Sequence, residues 1–147
     1  MPLNIEKLYA RFQDINESIA RLRQLGSLPI VDFAADQDKL DVASFRLIVA
    51  TEAAIDICLH TSAKLLKKVP DDYAGCFKLL ADQALIDKDL ATRLARMARF
   101  RNLLVHHYWK IDYTRLHQII GGPDLDDLSE FIRQINGLVN EKDPPTE

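Results

Sequence analysis

Apolar residues at Leu8, Phe12, Ile15, Ile19 and Leu22 recur in steps of three and four near the start of the chain. That spacing lines one face of an α-helix, so a first helix is predicted from about Asn4 to Gln24, ended by Gly26 and then Pro29. Leu28 to Asp36 reads as a linker. A second helix is predicted from near Asp38 to about Val69, where Pro70 stops it, a length of about 45 Å at the usual rise. A third, shorter one covers Tyr73 to Gln83. The fourth starts at Asp87, and Leu90, Leu94, Met97, Arg101, Leu104 and Tyr108 fall within a narrow stripe along it. Asp112 to Ile120 predicts a short helical turn closed by Gly121 and Gly122, and Pro123 then opens a last helix to about Asn140. No segment alternates with the two-residue period of a strand, and none repeats. The expected architecture is an all-α up-and-down bundle, with residues 1–140 as a single domain and 141–147 as a flexible tail.

Length and composition add bounds to this picture. At 147 residues the chain suits one core and not two. No apolar run approaches the roughly 20 residues that cross a bilayer. The opening MPLNIEKLYARF carries charge too early for a signal peptide, so a cytoplasmic protein without a membrane partner is expected. Cys58 and Cys76 lie in separate predicted helices and lack a C-x-x-C partner. Buried, reduced thiols are expected there, with no metal site and no cofactor. A net charge of −3 argues against a protein that coats nucleic acid generally. The charge is uneven, however: from Lys88 to Arg115 seven basic residues outweigh Asp89 and Asp112, a +5 segment on an acidic remainder. Such a surface fits a local nucleic-acid site, and a solvated helix face produces the same pattern.

The candidate chemistry starts from Arg101. Apolar residues flank it above and below in the fourth helix, and an unpaired charge buried there would cost several kcal/mol. The second helix offers partners: Glu52, Asp56 and His60 stand four residues apart, a polar ridge beside Phe45, Val49, Leu59 and Ala63. Arg101 is expected to meet Asp56, Glu52 or both. The plainest outcome is an arginine–carboxylate pair that fixes helix register inside a dimeric scaffold. His106 changes that balance. It lies five residues beyond Arg101, roughly 140° around a regular helix, so the two share a site only if the helix ends there or a second subunit contributes its own copy. The fourth helix's stripe and the nearly apolar second helix from Ala43 to Leu59 are more than one small bundle can bury, which predicts a two-fold homodimer.

The span RNLLVHHY resembles the R-N-x-x-x-H-x-Y signature of HEPN-domain proteins, specifically the HepT-like toxins of HEPN/MNT toxin–antitoxin pairs. The match falls on Arg101, Asn102, His106 and Tyr108. The segment AAIDICLHTSAKLL is similar to the family's second helix and KLYARFQDINESIARLRQL to its opening one, so the likeness covers most of the chain. It implies an HEPN-like bundle and a metal-independent ribonuclease with the motif at a homodimer interface. In that reading His106 exchanges protons, and Arg101 presents its planar fork to two phosphate oxygens. Asn102 orients a histidine or touches ribose, with Glu52 and Asp56 in support. Tyr108 and Trp109 offer faces for an unpaired base. The resemblance also implies an MNT-type nucleotidyltransferase antitoxin that attaches AMP to Tyr108. The simpler alternative for Tyr108 is a ring packed in line with Leu104. His107 fills a position that the signature leaves free. The alternative function is a non-catalytic helical binding partner of a nucleotidyltransferase.

Overall fold

A computed structural model describes residues 2–142, and among them there are seven α-helices and no strand. Helix α1 (Ile5–Gly26) begins where the Asn4 side chain accepts from the Lys7 amide, and it buries the predicted face of Leu8, Phe12, Ile15, Ile19 and Leu22. α3 (Gln37–Thr61) is capped by Asp36, whose carboxylate accepts from the amides of Asp38 and Lys39. α4 (Tyr73–Asp82) is capped by Asp72, and α5 (Lys88–His106) ends inside the motif. α6 (Tyr113–Gly121) starts on Asp112, and α7 (Asp124–Lys142) follows Pro123. Except at α5, these starts use a short oxygen-bearing side chain or proline that satisfies or lacks an orphan amide.

The long partners are α1 with α3 and α4 with α5, and α7 lies against both pairs in the up-and-down bundle. Between α4 and α7, Phe77 and Phe131 meet edge to face with their ring centres 5.5 Å apart. Asp87 has no local cap bond. Its amide donates to Gln134 Oε1 at 2.9 Å, and Gln134 Nε2 donates back to the Asp87 carboxylate, so α7 holds the start of α5. Cys58 and Cys76 are both buried free thiols, and burial pushes the Cys58 thiol's pKa up.

Three boundaries differ from expectation. The predicted linker holds α2 (Ile30–Ala34), one turn anchored by fully buried Phe33, whose ring packs 5.2 Å from that of His117. α3 ends earlier than Val69. It widens into a π-turn over Ser62–Leu66 and stops at Lys67, which takes a left-handed conformation with φ 54°. The Ser62 hydroxyl donates to the Lys68 carbonyl at 2.8 Å, so the terminator is this wide turn and not Pro70. At the other end α7 runs two residues past Asn140, to Lys142. Residues 143–147 of the predicted tail lie outside the described residues.

The ends of α1 and α6 cross glycine on glycine. A Cβ at Gly26 would sit 2.4 Å from the Ile120 carbonyl oxygen, a backbone atom that cannot rotate away. Gly137 is different: it lies within α7, and a Cβ there meets nothing within 4 Å. Gly26→Ala is therefore expected to destabilise by about 1–3 kcal/mol. Gly137→Ala should stabilise by roughly 0.5–1 kcal/mol through helix propensity. Urea unfolding of the two variants reads both signs, and an unchanged midpoint for Gly26→Ala would remove the crossing as a determinant of the fold.

Candidate active site

Arg101 sits on α5 between buried Met97 and Leu104, with its own side chain only 12% exposed. Its Nε donates to Glu52 Oε1 at 3.1 Å, and Nη2 donates to the same oxygen. Nη1 donates to Asn102 Oδ1 at 2.9 Å. The ring of Tyr73, at the start of α4, lies under the guanidinium with its centre 5.7 Å away. An edge held by a carboxylate and a face held by an aromatic ring fix an arginine in both translation and tilt. Tyr73 is the residue that sequence reasoning missed. Nothing in its own segment marks it, because the contact exists only once α4 packs beside α5. Glu52, Asp56, Tyr73 and Arg101 together line a hollow of ≈ 180 Å³.

Of the two expected carboxylate partners only Glu52 meets Arg101. Asp56 is 3.4 Å from Lys7 Nζ and 4.0 Å from Arg11 Nε, because α1 packs along this ridge and brings two cations to it. Asp56 nevertheless faces the same hollow as Arg101. His60 is taken up structurally: its Nε2 accepts from the Asn4 amide at 2.9 Å, at the start of α1. Burial, and then the nearby Lys7 and Lys64, hold its pKa below the ordinary 6.5, which suits a ring nitrogen that must stay unprotonated to accept.

Beyond Arg101 the motif leaves the core. α5 ends at His106, whose ring is exposed and makes no hydrogen bond or ion pair among the described residues. The backbone then turns through a 3-10 segment, Tyr108–Lys110. The break carries Tyr108 out of the apolar stripe, so its ring is 68% exposed and does not continue the Leu104 row. Tyr108, His107 and Trp109 form their own cluster, with Trp109 edge-on to the other two at 5.3 and 5.5 Å. Within one chain Arg101 and His106 thus stay on different sides of α5. Exposed Val105, Tyr108 and Trp109 on one helix end, and Phe45 at 59% on α3, are large apolar groups left in solvent. Among the described residues no His, Cys, Asp and Glu group has the arrangement of a metal site, and no helix is long and apolar enough to cross a membrane.

Known proteins are similar to this chain in sequence and share its helical bundle. The family model described as ribonuclease HepT-like matches residues 15–135. The tRNA nuclease HepT of Aphanizomenon flos-aquae is 27% identical over 92% of this chain and 93% of its own length. The mRNA nuclease HepT of Shewanella oneidensis is 29% identical over 80% of this chain and 87% of its own. A solved tri-AMPylated HEPN toxin of Shewanella oneidensis, in complex with an MNT antitoxin, superposes with a TM-score of 0.80 at 27% identity. That match covers 89% of this chain and 97% of the solved one.

The bond from Asn4 to His60 makes the fold sensitive to acid. His60 has a depressed folded-state pKa, so the unfolded chain takes up its proton first as pH falls below 6.5. Its contribution to stability is intact above that value and is lost as pH drops through the folded pKa. His60→Gln keeps an acceptor without a titrating ring. Wild type should lose more thermal stability than His60→Gln between neutral pH and pH 5, and parallel curves would show that the ring is not linked to folding.

Proposed function

The chain belongs to the HepT-like ribonuclease family, and on that premise we propose that it is a metal-independent endoribonuclease toxin with a site completed across a homodimer. The observation that carries this reading is the division of labour on α5. One side holds a nearly buried guanidinium fixed by Glu52 and Tyr73, and the other ends in an imidazole with no partner of its own among the described residues. A two-fold axis near the end of α5 would cover the exposed Val105 and Trp109, bring two His106 rings and two Arg101 forks toward one cleft, and leave Tyr108 at its open rim.

The chemistry then follows from the side chains. One His106 takes the proton of a ribose 2′-hydroxyl, whose oxygen attacks the adjacent phosphorus. The 5′-oxygen leaves as its bond to phosphorus breaks, and the second copy's His106 returns a proton to it. Arg101 faces the negative oxygens of the phosphorane. Asn102, tied to Arg101 through its Oδ1, and Glu52 act as positioning residues, and Asp56 supplies the far wall of the hollow. One relative is named for tRNA and another for mRNA, so family membership alone does not fix the RNA target.

Control is proposed to come from a nucleotidyltransferase antitoxin of the MNT type. The phenol of Tyr108, two residues after His106 in the chain, is exposed and open to a transferase. Attack of its oxygen on the α-phosphorus of ATP forms the phosphodiester and releases pyrophosphate. The added negative charge then sits beside the cleft and competes with RNA for Arg101. The same exposed Tyr108 and Trp109 also suit a second reading, a non-catalytic helical partner that docks the transferase.

Two measurements separate these readings. Arg101→Ala and His106→Ala should each lower RNA cleavage by about 10²–10⁴-fold, with EDTA without effect and His107→Ala much milder. Cleavage retained by His106→Ala, or lost to EDTA, would overturn the mechanism, and a monomer in sedimentation at micromolar concentration would remove the composite cleft. In the second test, incubation with the cognate transferase and ATP should add AMP mass at Tyr108 and suppress cleavage, while Tyr108→Phe stays active. Modification elsewhere, or a silenced Tyr108→Phe, would rule out this route of control.

A further inference from the structure

The proposed reaction leaves one concentration of charge unused. Arg93, Arg96 and Arg115 rim a hollow of ≈ 80 Å³ between α5, α6 and α7, floored by Met97, Phe100 and Ile119. Arg93 is held in the wall by Asp127, its Nε donating at 2.9 Å. Arg96 and Arg115 are exposed, and their side chains make no hydrogen bond or ion pair among the described residues. This is not for want of acids. The chain has 22 carboxylates to 19 lysines and arginines, and Asp124 lines the same hollow without pairing to either arginine. Converging guanidiniums over an apolar floor are mutually repulsive, and an anion between them reverses the sign of that interaction.

From this arrangement we infer that the hollow binds a phosphodiester of the RNA strand, away from the bond that is cut. Charge selects the ligand: two unpaired guanidiniums beside a third on one rim favour an oxyanion over a neutral base. Guanidinium forks match such an anion through paired N–H donors. Position links the hollow to the motif. Arg96 precedes His106 by ten residues of one unbroken helix, about 15 Å along its axis. Arg99, also exposed and unpaired among the described residues, stands one turn nearer to His106 on that path. A polyanion with a phosphate at every nucleotide can be drawn along this line, whereas a protein partner would need a carboxylate placed to enter the hollow. The strand's identity rests on the ribonuclease reading, and the anion's does not.

The test uses the full chain and a fluorescein-labelled, mixed-sequence 2′-O-methyl oligoribonucleotide, which the proposed chemistry cannot cut. The Arg96→Gln/Arg115→Gln double variant should bind it about tenfold or more weakly, with the slope of log affinity against log salt shallower by roughly 0.7 for each phosphate that is no longer neutralised. Arg96→Lys/Arg115→Lys should recover most of that slope, and Lys67→Gln/Lys68→Gln, on the far turn after α3, should match wild type. Melting temperatures of all variants should coincide, since these side chains are exposed. Equal affinity and slope for the glutamine variant, or no binding by wild type, overturns the subsite. So does a loss of binding confined to the nucleotidyltransferase, which would make the hollow a protein-docking surface. If arginine-dependent binding is found but wild type cleaves no RNA, the subsite stands and the ribonuclease reading falls. If wild type cleaves and the glutamine variant binds and cleaves equally well, the reverse holds.

Discussion

The arrangement of this molecule turns on a charge placed in an apolar row. Arg101 occupies a position on α5 where its neighbours in the stripe are buried, and only one register of α3 against α5 brings Glu52 within reach of it. Glu52 is half exposed, so the pair adds modestly to stability, as partly solvated ion pairs do. Its larger effect is positional: any slip of one helix along the other leaves a guanidinium without a partner in a largely dry site. Tyr73 extends the constraint to α4. Three helices are thereby located relative to one side chain.

The end of α5 is the second constraint and acts in the opposite direction. Had the helix continued, Tyr108 would have returned to the buried stripe and His106 would have been one more exposed residue of a long helix. The break after His106 instead frees both, together with Trp109, and leaves the aromatic groups packed on one another and not on the core. A fixed cation and a free imidazole on different sides of one helix are, in the proposed reading, half of a site that a second copy would complete. This is why the proposed chemistry calls for a second copy.

Most of the helices were legible in the sequence because their apolar residues repeat with the helical period over several turns. The misses share a cause. α2 is a single turn held by Phe33, too short to show a period. The π-turn after α3 depends on a serine hydroxyl reaching six residues forward, which no local pattern marks. At the site, counting polar residues on α3 identified the ridge and its Glu52–Arg101 pair, but not the partners of Asp56 and His60. Asp56 meets Lys7 and Arg11, and His60 meets the Asn4 amide, because α1 lies along the same ridge. Which cation reaches which carboxylate is decided by packing between distant segments, and a single sequence carries no record of it.

A structural arginine and a phosphate-binding arginine are usually treated as rival explanations, and the contacts of Arg101 leave room for the proposed second role beside the first. A guanidinium has five N–H donors in a fixed plane. Here Nε and one N–H of Nη2 go to Glu52, and one N–H of Nη1 goes to Asn102. One donor therefore remains on each terminal nitrogen, and a pair of donors is what two phosphate oxygens require. Glu52 and Asn102 hold the fork without exhausting it, so the interaction that sets the register also presents a cation whose orientation is already fixed in the folded state. A lysine could not do both, since its ammonium has no plane to be fixed and no second nitrogen to offer.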